Sequence, residues 1–134
     1  MSESLQFERV YSYDLSLSGI SVPLLLSWGD ETEEITAKVD TGASYCIFRR
    51  LHGSALGIDV DSGLGVEIGT VTWSFTAYAH ELRLKCLGIT MISTVYFAES
   101  EYFDRNVLGR IGFLDRVKLG LIDSESLLYL SPYS

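Results

Sequence analysis

The residues best placed to do chemistry are Asp40 and its neighbours in the run Val39-Asp40-Thr41-Gly42-Ala43-Ser44. A carboxylate can take or give a proton, and a reaction that uses one needs it held in place. The alternation around it supplies the hold. Ile35, Ala37 and Val39 fall on one side of a strand, and Thr36, Lys38 and Asp40 on the other, so Asp40 leaves the strand from its polar face. Gly42 lets the backbone turn tightly and leaves room for another segment to approach, while the Thr41 hydroxyl can lock the turn. Asp, Thr and Gly are also ordinary turn residues, and the tripeptide would arise by chance in roughly a few per cent of chains this long, so alone it does not decide the matter. Other candidates are poorer. His52 has no ligand partner nearby in sequence and reads as a surface histidine, and Cys46 and Cys86 lack paired metal-ligand spacing.

A second motif shifts the balance. Asn106-Val107-Leu108-Gly109-Arg110 follows at a distance. In this order and spacing the two segments resemble the signatures of the retropepsin-like aspartic proteases, the retroviral protease family and its bacterial relatives. The first resembles the active-site loop, and the second the apolar-apolar-glycine-arginine segment that crosses behind that loop and leads into a short helix. The resemblance implies an all-β, retropepsin-like closed barrel with a flap hairpin and one short C-terminal helix, one lobe per chain. It implies Asp40 as the catalytic residue. Thr41, Gly42 and Ala43 support the active-site loop, Thr41 by a cross-subunit hydroxyl contact and Gly42 by offering its carbonyl to substrate. Asn106, Leu108, Gly109 and Arg110 are structural support.

The reaction so implied is that of an aspartic endopeptidase, in which water is activated by two carboxylates sharing one proton. Only one Asp-Thr-Gly is present, no internal repeat is evident, and 134 residues leave no room for two lobes. The second carboxylate must then be Asp40 of another copy, so a homodimer is required, acting on a peptide or protein substrate without metal or cofactor. A non-catalytic peptide-binding or dimerisation module on the same fold is the alternative. Two departures matter. Retroviral enzymes typically place an aspartate where Ser44 stands, paired with the arginine matching Arg110; here Arg110 must find another carboxylate, such as Asp115, or cap backbone carbonyls. Pepsin-like enzymes commonly carry Ser or Thr where Ala43 stands, and losing that hydroxyl moves the expected activity to mildly acidic or neutral pH.

The whole chain suits this reading. With 47% hydrophobic residues it can bury one core, giving a single domain over 1–134 with residues 1–4 as a frayed tail. A formal charge of −8 argues against a nucleic-acid partner. No apolar run approaches the roughly 18 residues needed to span a membrane, and Met1-Ser2-Glu3-Ser4 lacks a signal-peptide pattern, so the expected location is cytoplasmic. The two cysteines then read as buried thiols in a reducing compartment.

The elements that must position Asp40 follow from local pattern. An opening strand over Leu5 to Tyr13 is a candidate for the interface, because retropepsins often use chain termini in the dimer sheet. Ser21 to Trp28, then Glu33 to Val39, read as a hairpin that delivers Asp40, followed by a short strand from Tyr45 to Phe48. Arg49 to Leu56 can form a helical turn or two before Gly57. Glycines 63, 65 and 69 punctuate a second hairpin, with its tip expected between Ile68 and Trp73. Gly69, Thr70, Val71, Thr72 and Trp73 are therefore the expected substrate-binding flap residues, with Ile111 lining a pocket beside them. Phe75, Ala77 and Ala79 are apolar at odd positions, but Leu82, Leu84 and Cys86 at even ones, which predicts a bend or bulge near His80. Ile89 to Ala98 is a further strand, Glu99 to Asp104 an acidic loop, and Arg110 to Arg116 a short helix. Val117 to Ile122 and Leu127 to Leu130 close the chain as strands.

Overall fold

A computed structural model describes residues 2–69 and 71–133. Its strands are β1 (Arg9–Ser12), β2 (Ser21–Trp28), β3 (Glu31–Val39), β4 (Ile47–Phe48), β5 (Leu64–Gly69), β6 (Ser74–Cys86), β7 (Ile89–Ala98), β8 (Val107–Leu108), β9 (Val117–Ile122) and β10 (Leu127–Pro132). One α-helix, α1 (Arg50–Ala55), lies between β4 and β5, where the sequence predicts a turn or two of helix.

Seven strands form one sheet in the order β2-β3-β8-β4-β7-β6-β5, and a further pairing of β2 with β6 closes six of them into a barrel. The longer strands bury one face, as the alternating burial along β7 shows, and the sheet curls to enclose it. Val22, Leu24 and Leu26 from β2, Leu82, Leu84 and Cys86 from β6, and Val95 and Phe97 from β7 fill the interior. Each fully buried Leu or Phe contributes roughly 1.5–3 kcal/mol, which makes this interior the main source of the barrel's stability. Outside it, β1, β10 and β9 make a separate three-stranded antiparallel sheet.

Long β6 serves two neighbours. Its outer part pairs with β5 from Ser74 to Ala79, and its inner part with β2 from Arg83 to Lys85. Its register with β7 runs unbroken from Ala77↔Ala98 to Cys86↔Ile89, so the bulge expected near His80 is not there. Even positions keep facing the barrel through polar-tipped rings: Tyr78 packs on the core, and the His80 ring lies 6.0 Å from that of Phe97. Their polar ends meet Glu99 Oε2 and the Val60 carbonyl, at 2.6 and 2.8 Å. The odd series of the outer part lies on the opposite face, where Phe75 lines a cleft.

Two other expectations are adjusted. The opening strand is shorter than Leu5 to Tyr13, spanning Arg9–Ser12 and paired within the chain to β10. The helix expected over Arg110 to Arg116 is present only as a 3-10 turn at Leu114–Arg116. Ile111 N instead donates to the Ser44 carbonyl at 2.9 Å, and Gly112 has φ +103°, outside helical space, so no helix can start at Arg110.

Candidate active site

Asp40 sits where β3 ends and is clamped by the β8 segment. Lys38 and Val39 pair in parallel with Val107 and Leu108, and the ladder continues one step further, with Asp40 N donating to the Leu108 carbonyl at 2.9 Å. On its other side β8 meets β4, through Ile47↔Val107. The loop folds over its own carboxylate: Gly42 N donates to Asp40 Oδ1 at 2.9 Å, and Ala43 N to the Asp40 carbonyl at 3.2 Å. A Cβ on Gly42 would lie 3.3 Å from that same Oδ1.

The second motif holds this loop from behind. Arg110 N donates to the Ala43 carbonyl at 2.9 Å, beside the Ile111 to Ser44 bond. Between these bonds Gly109 lies so close that a Cβ would come within 2.3 Å of the Tyr45 carbonyl oxygen and 2.8 Å of the Ala43 oxygen. Only glycine fits, which is the physical content of the apolar-apolar-glycine pattern. Leu108 is fully buried. Asn106 fixes the near end, as its Oδ1 accepts from Arg49 N at 3.0 Å and its Nδ2 donates to the Thr36 carbonyl at 3.3 Å.

That amide also lies 3.2 Å from His52 Nε2, whose Nδ1 is 3.1 Å from Glu33 Oε2. His52 is therefore not a free surface histidine: from α1 it reaches β3 and the residue before β8, accepting from Asn106 and donating to Glu33. Arg110 works through its backbone, with an exposed side chain and no ion pair among the described residues. Asp115, the suggested partner, instead accepts from Gly112 N at 3.0 Å and lies 3.6 Å from Arg116 Nε.

Above Asp40 opens a cleft of about 550 Å³, floored by Asp40, Gly42 and Ala43 and walled by the β5–β6 hairpin. Of the expected hairpin residues, Gly69 and Trp73 line it. Val71 and Thr72 are exposed and do not, and Thr70 lies outside the described residues. Thr41 is exposed beside Asp40. Ile111 belongs to a second hollow, lined also by Ser44, Arg110, Leu114 and Asp115.

The opposite wall was missed by sequence reasoning. Phe103 and its neighbours Tyr102, Asp104 and Arg105 line the cleft, and the Phe103 ring lies 4.9 Å from Phe75, itself 5.4 Å from Trp73. The three rings bridge hairpin and loop; an aromatic pair inside the acidic loop was the one signal that could have pointed to it.

Burial pushes the thiols of Cys46 and Cys86 up to about 11 and about 12, far from a nucleophilic thiolate. Among the described residues no group of three or more His, Cys, Asp or Glu side chains is arranged to hold a metal ion. No described helix is long and apolar enough to cross a membrane.

Comparison with solved structures decides the fold. A retropepsin-like aspartic protease from Rickettsia conorii superposes with a TM-score of 0.68 over 92% of this chain and 97% of its own, at 17% identity. The chain has the retropepsin-like fold. EIAV protease, solved with an inhibitor, matches at a TM-score of 0.57 and 18% identity, covering 75% of this chain and 88% of that one. No family model matches the sequence, and no curated protein matches it. In retropepsin terms the single lobe presents one aspartate loop and one overhanging hairpin.

Proposed function

We propose that the protein is an aspartic endopeptidase whose active site is shared by two copies, each supplying Asp40. The observation that carries this is the Asp40 carboxylate, fastened by backbone bonds on the floor of a cleft in a one-lobe retropepsin fold. Two carboxyls a few ångströms apart cannot both ionise easily, so one stays protonated and the other acts as base, as is general for aspartic proteases. The ionised member takes a proton from water as it attacks the amide carbon, and the protonated member donates a hydrogen bond to the carbonyl oxygen. Their titrations belong to the pair.

Substrate binds as an extended strand between loop and hairpin, chiefly through its backbone. The β5–β6 hairpin acts as the flap, with Gly69 and Trp73 over the peptide, and the Gly42 carbonyl receives a substrate amide. In the dimer the hydroxyl of Thr41, an exposed residue, bonds the second loop. Gly42 N fixes Asp40 Oδ1 in place, and with Ala43 supplying no hydroxyl to the loop, activity is expected at mildly acidic to neutral pH. Two free buried thiols suit a reducing, cytoplasmic setting.

The test is sedimentation across a concentration series, with cleavage of a peptide library on the same samples and on Asp40→Asn. Cleavage should rise with dimer fraction and vanish in the variant. A stable monomer without cleavage between about pH 4 and 8 would leave a peptide-binding module instead.

A further inference from the structure

Behind the floor of the cleft, the amide of Asn106 can sit one way only. Its Oδ1 accepts from Arg49 N at 3.0 Å and its Nδ2 donates to the Thr36 carbonyl at 3.3 Å, so turning it over would set donor against donor and oxygen against oxygen. His52 Nε2, 3.2 Å from that Nδ2, must therefore accept. An imidazole that accepts at Nε2 is neutral and carries its proton on Nδ1, which donates to Glu33 Oε2 at 3.1 Å. The His52 and Glu33 side chains are 13% and 26% exposed, so water is a poor substitute for these bonds.

A second proton on the ring breaks this arrangement at one end. Glu33 accepts from Nδ1 in either charge state, whereas at Nε2 two donors would face each other. Among the described residues no other charged side chain bonds the ring. Beside it on α1, Gly53 packs on Val60 and on Phe97 of β7, and Arg50 is held by Asp61. Arg49 keeps its Nε buried without a partner, and Asp104 and Arg105, just before Asn106, line the cleft instead.

What Asn106 holds is the ladder that ends at Asp40. Its carbonyl accepts from Lys38 N at 2.9 Å, Val107 and Leu108 pair with Lys38 and Val39, and the Leu108 carbonyl accepts from Asp40 N at 2.9 Å. We infer that His52 is a positioning residue for Asp40, and that charging its ring loosens this short ladder from the Asn106 end, so that the floor is firm at neutral pH and slackens in acid. The consequence for cleavage rests on the shared-site reading; the consequence for the ladder does not. Imidazoles change charge between about pH 5 and 8, above the ordinary carboxylate range, so the step is separate from the acid response of surface carboxylates.

The experiment follows the full chain by NMR from about pH 8 to 4.5. The ring signals of His52 report its charge, and exchange of the Lys38 and Asp40 amides, corrected for the intrinsic acid dependence, reports the two ends of the ladder. Both amides should quicken about ten-fold in step with the ring, with the ladder still formed on either side of the step. Peptide cleavage should fall in the same step, in kcat more than in KM, because the cleft walls are untouched. His52→Gln keeps an acceptor for Asn106 and cannot charge, so it should lose the exchange step, and its cleavage should persist to lower pH. A variant that is less stable at every pH but keeps both native steps would reduce His52 to a structural role and overturn the inference. Native amides that exchange evenly while the ring charges would overturn it too, whether or not the variant folds. An exchange step in a chain that cleaves nothing at any pH would sink the protease reading and leave the proton-sensitive ladder standing; cleavage without the exchange step would do the reverse.

Discussion

The floor of the cleft and its overhanging hairpin are held by opposite means. On the floor, Asp40, Arg110 and Ile111 each donate a 2.9 Å backbone bond across the crossing of loop and β8, and Gly109 leaves no space between them. At the hairpin tip Val71 is fully exposed and Trp73 is 55% exposed, and the tip reaches the opposite wall through ring faces, Trp73 on Phe75 and Phe75 on Phe103. A reacting carboxylate must be fixed to a fraction of an ångström, whereas a cover over an extended substrate must let it in. On the proposed function the difference divides labour: the stability that positions chemistry is concentrated on the floor, and the hairpin is left at the low-stability end.

The contrast breaks most severely at Gly109. Gly109→Ala forces a Cβ against backbone that cannot step aside, so a loss of about 3–5 kcal/mol is expected in denaturant unfolding. A variant as stable as the native chain would show that the crossing is looser than its geometry. Asn106→Ala should cost less, about 1–3 kcal/mol, by stranding Arg49 N and freeing His52. Thermal melting measures it, and because the loss reaches α1 as well as β3, His52→Ala should be partly non-additive with it. Trp73→Ala marks the other side. Its stability should change by less than about 1 kcal/mol, since more than half of the residue is in water, while the KM for peptide rises. Equal losses at Trp73 and Asn106 would erase the distinction between floor and hairpin.

Much of the floor was legible because its signals are local. Ser21–Trp28, Ile89–Ala98 and Val117–Ile122 are strands with the bounds their alternation gives. Asp40 leaves β3 as the polar phase requires. What escaped is set by distant partners. His52 meets Glu33 and Asn106, 19 and 54 positions away, and no pattern around residue 52 encodes either. Phe103 enters the cleft from a loop with no periodicity. The phase change in β6 was real, but a strand covered on both faces in turn needs no bulge to bury both sets. At Arg110 the helical expectation failed because the backbone leaves helical space at Gly112, φ +103°, and again at Phe113.

The smallest effect concerns how the hairpin is tethered at its base. Arg50 of α1 holds Asp61, just before β5, through bonds of 2.7 and 3.0 Å, and its Nη1 also reaches the Glu99 carbonyl. The guanidinium holds the Asp61 carboxyl below its ordinary value of 3.8. A depressed folded value means that the pair stabilises the native state above pH 3.8, and that this contribution is lost as pH falls through the lower, folded value. Asp61 is exposed, so solvent screens the pair and global stability should barely register it. The sensitive readout is local. Amide exchange in β5, corrected for the intrinsic acid dependence, should quicken in that acidic window while β3 and β8 stay protected. Asp61→Asn should show the quicker exchange already at neutral pH, with no further step on acidification. If β3 responds as strongly as β5, floor and hairpin open as one unit, and the division of labour drawn from their geometry does not hold in solution.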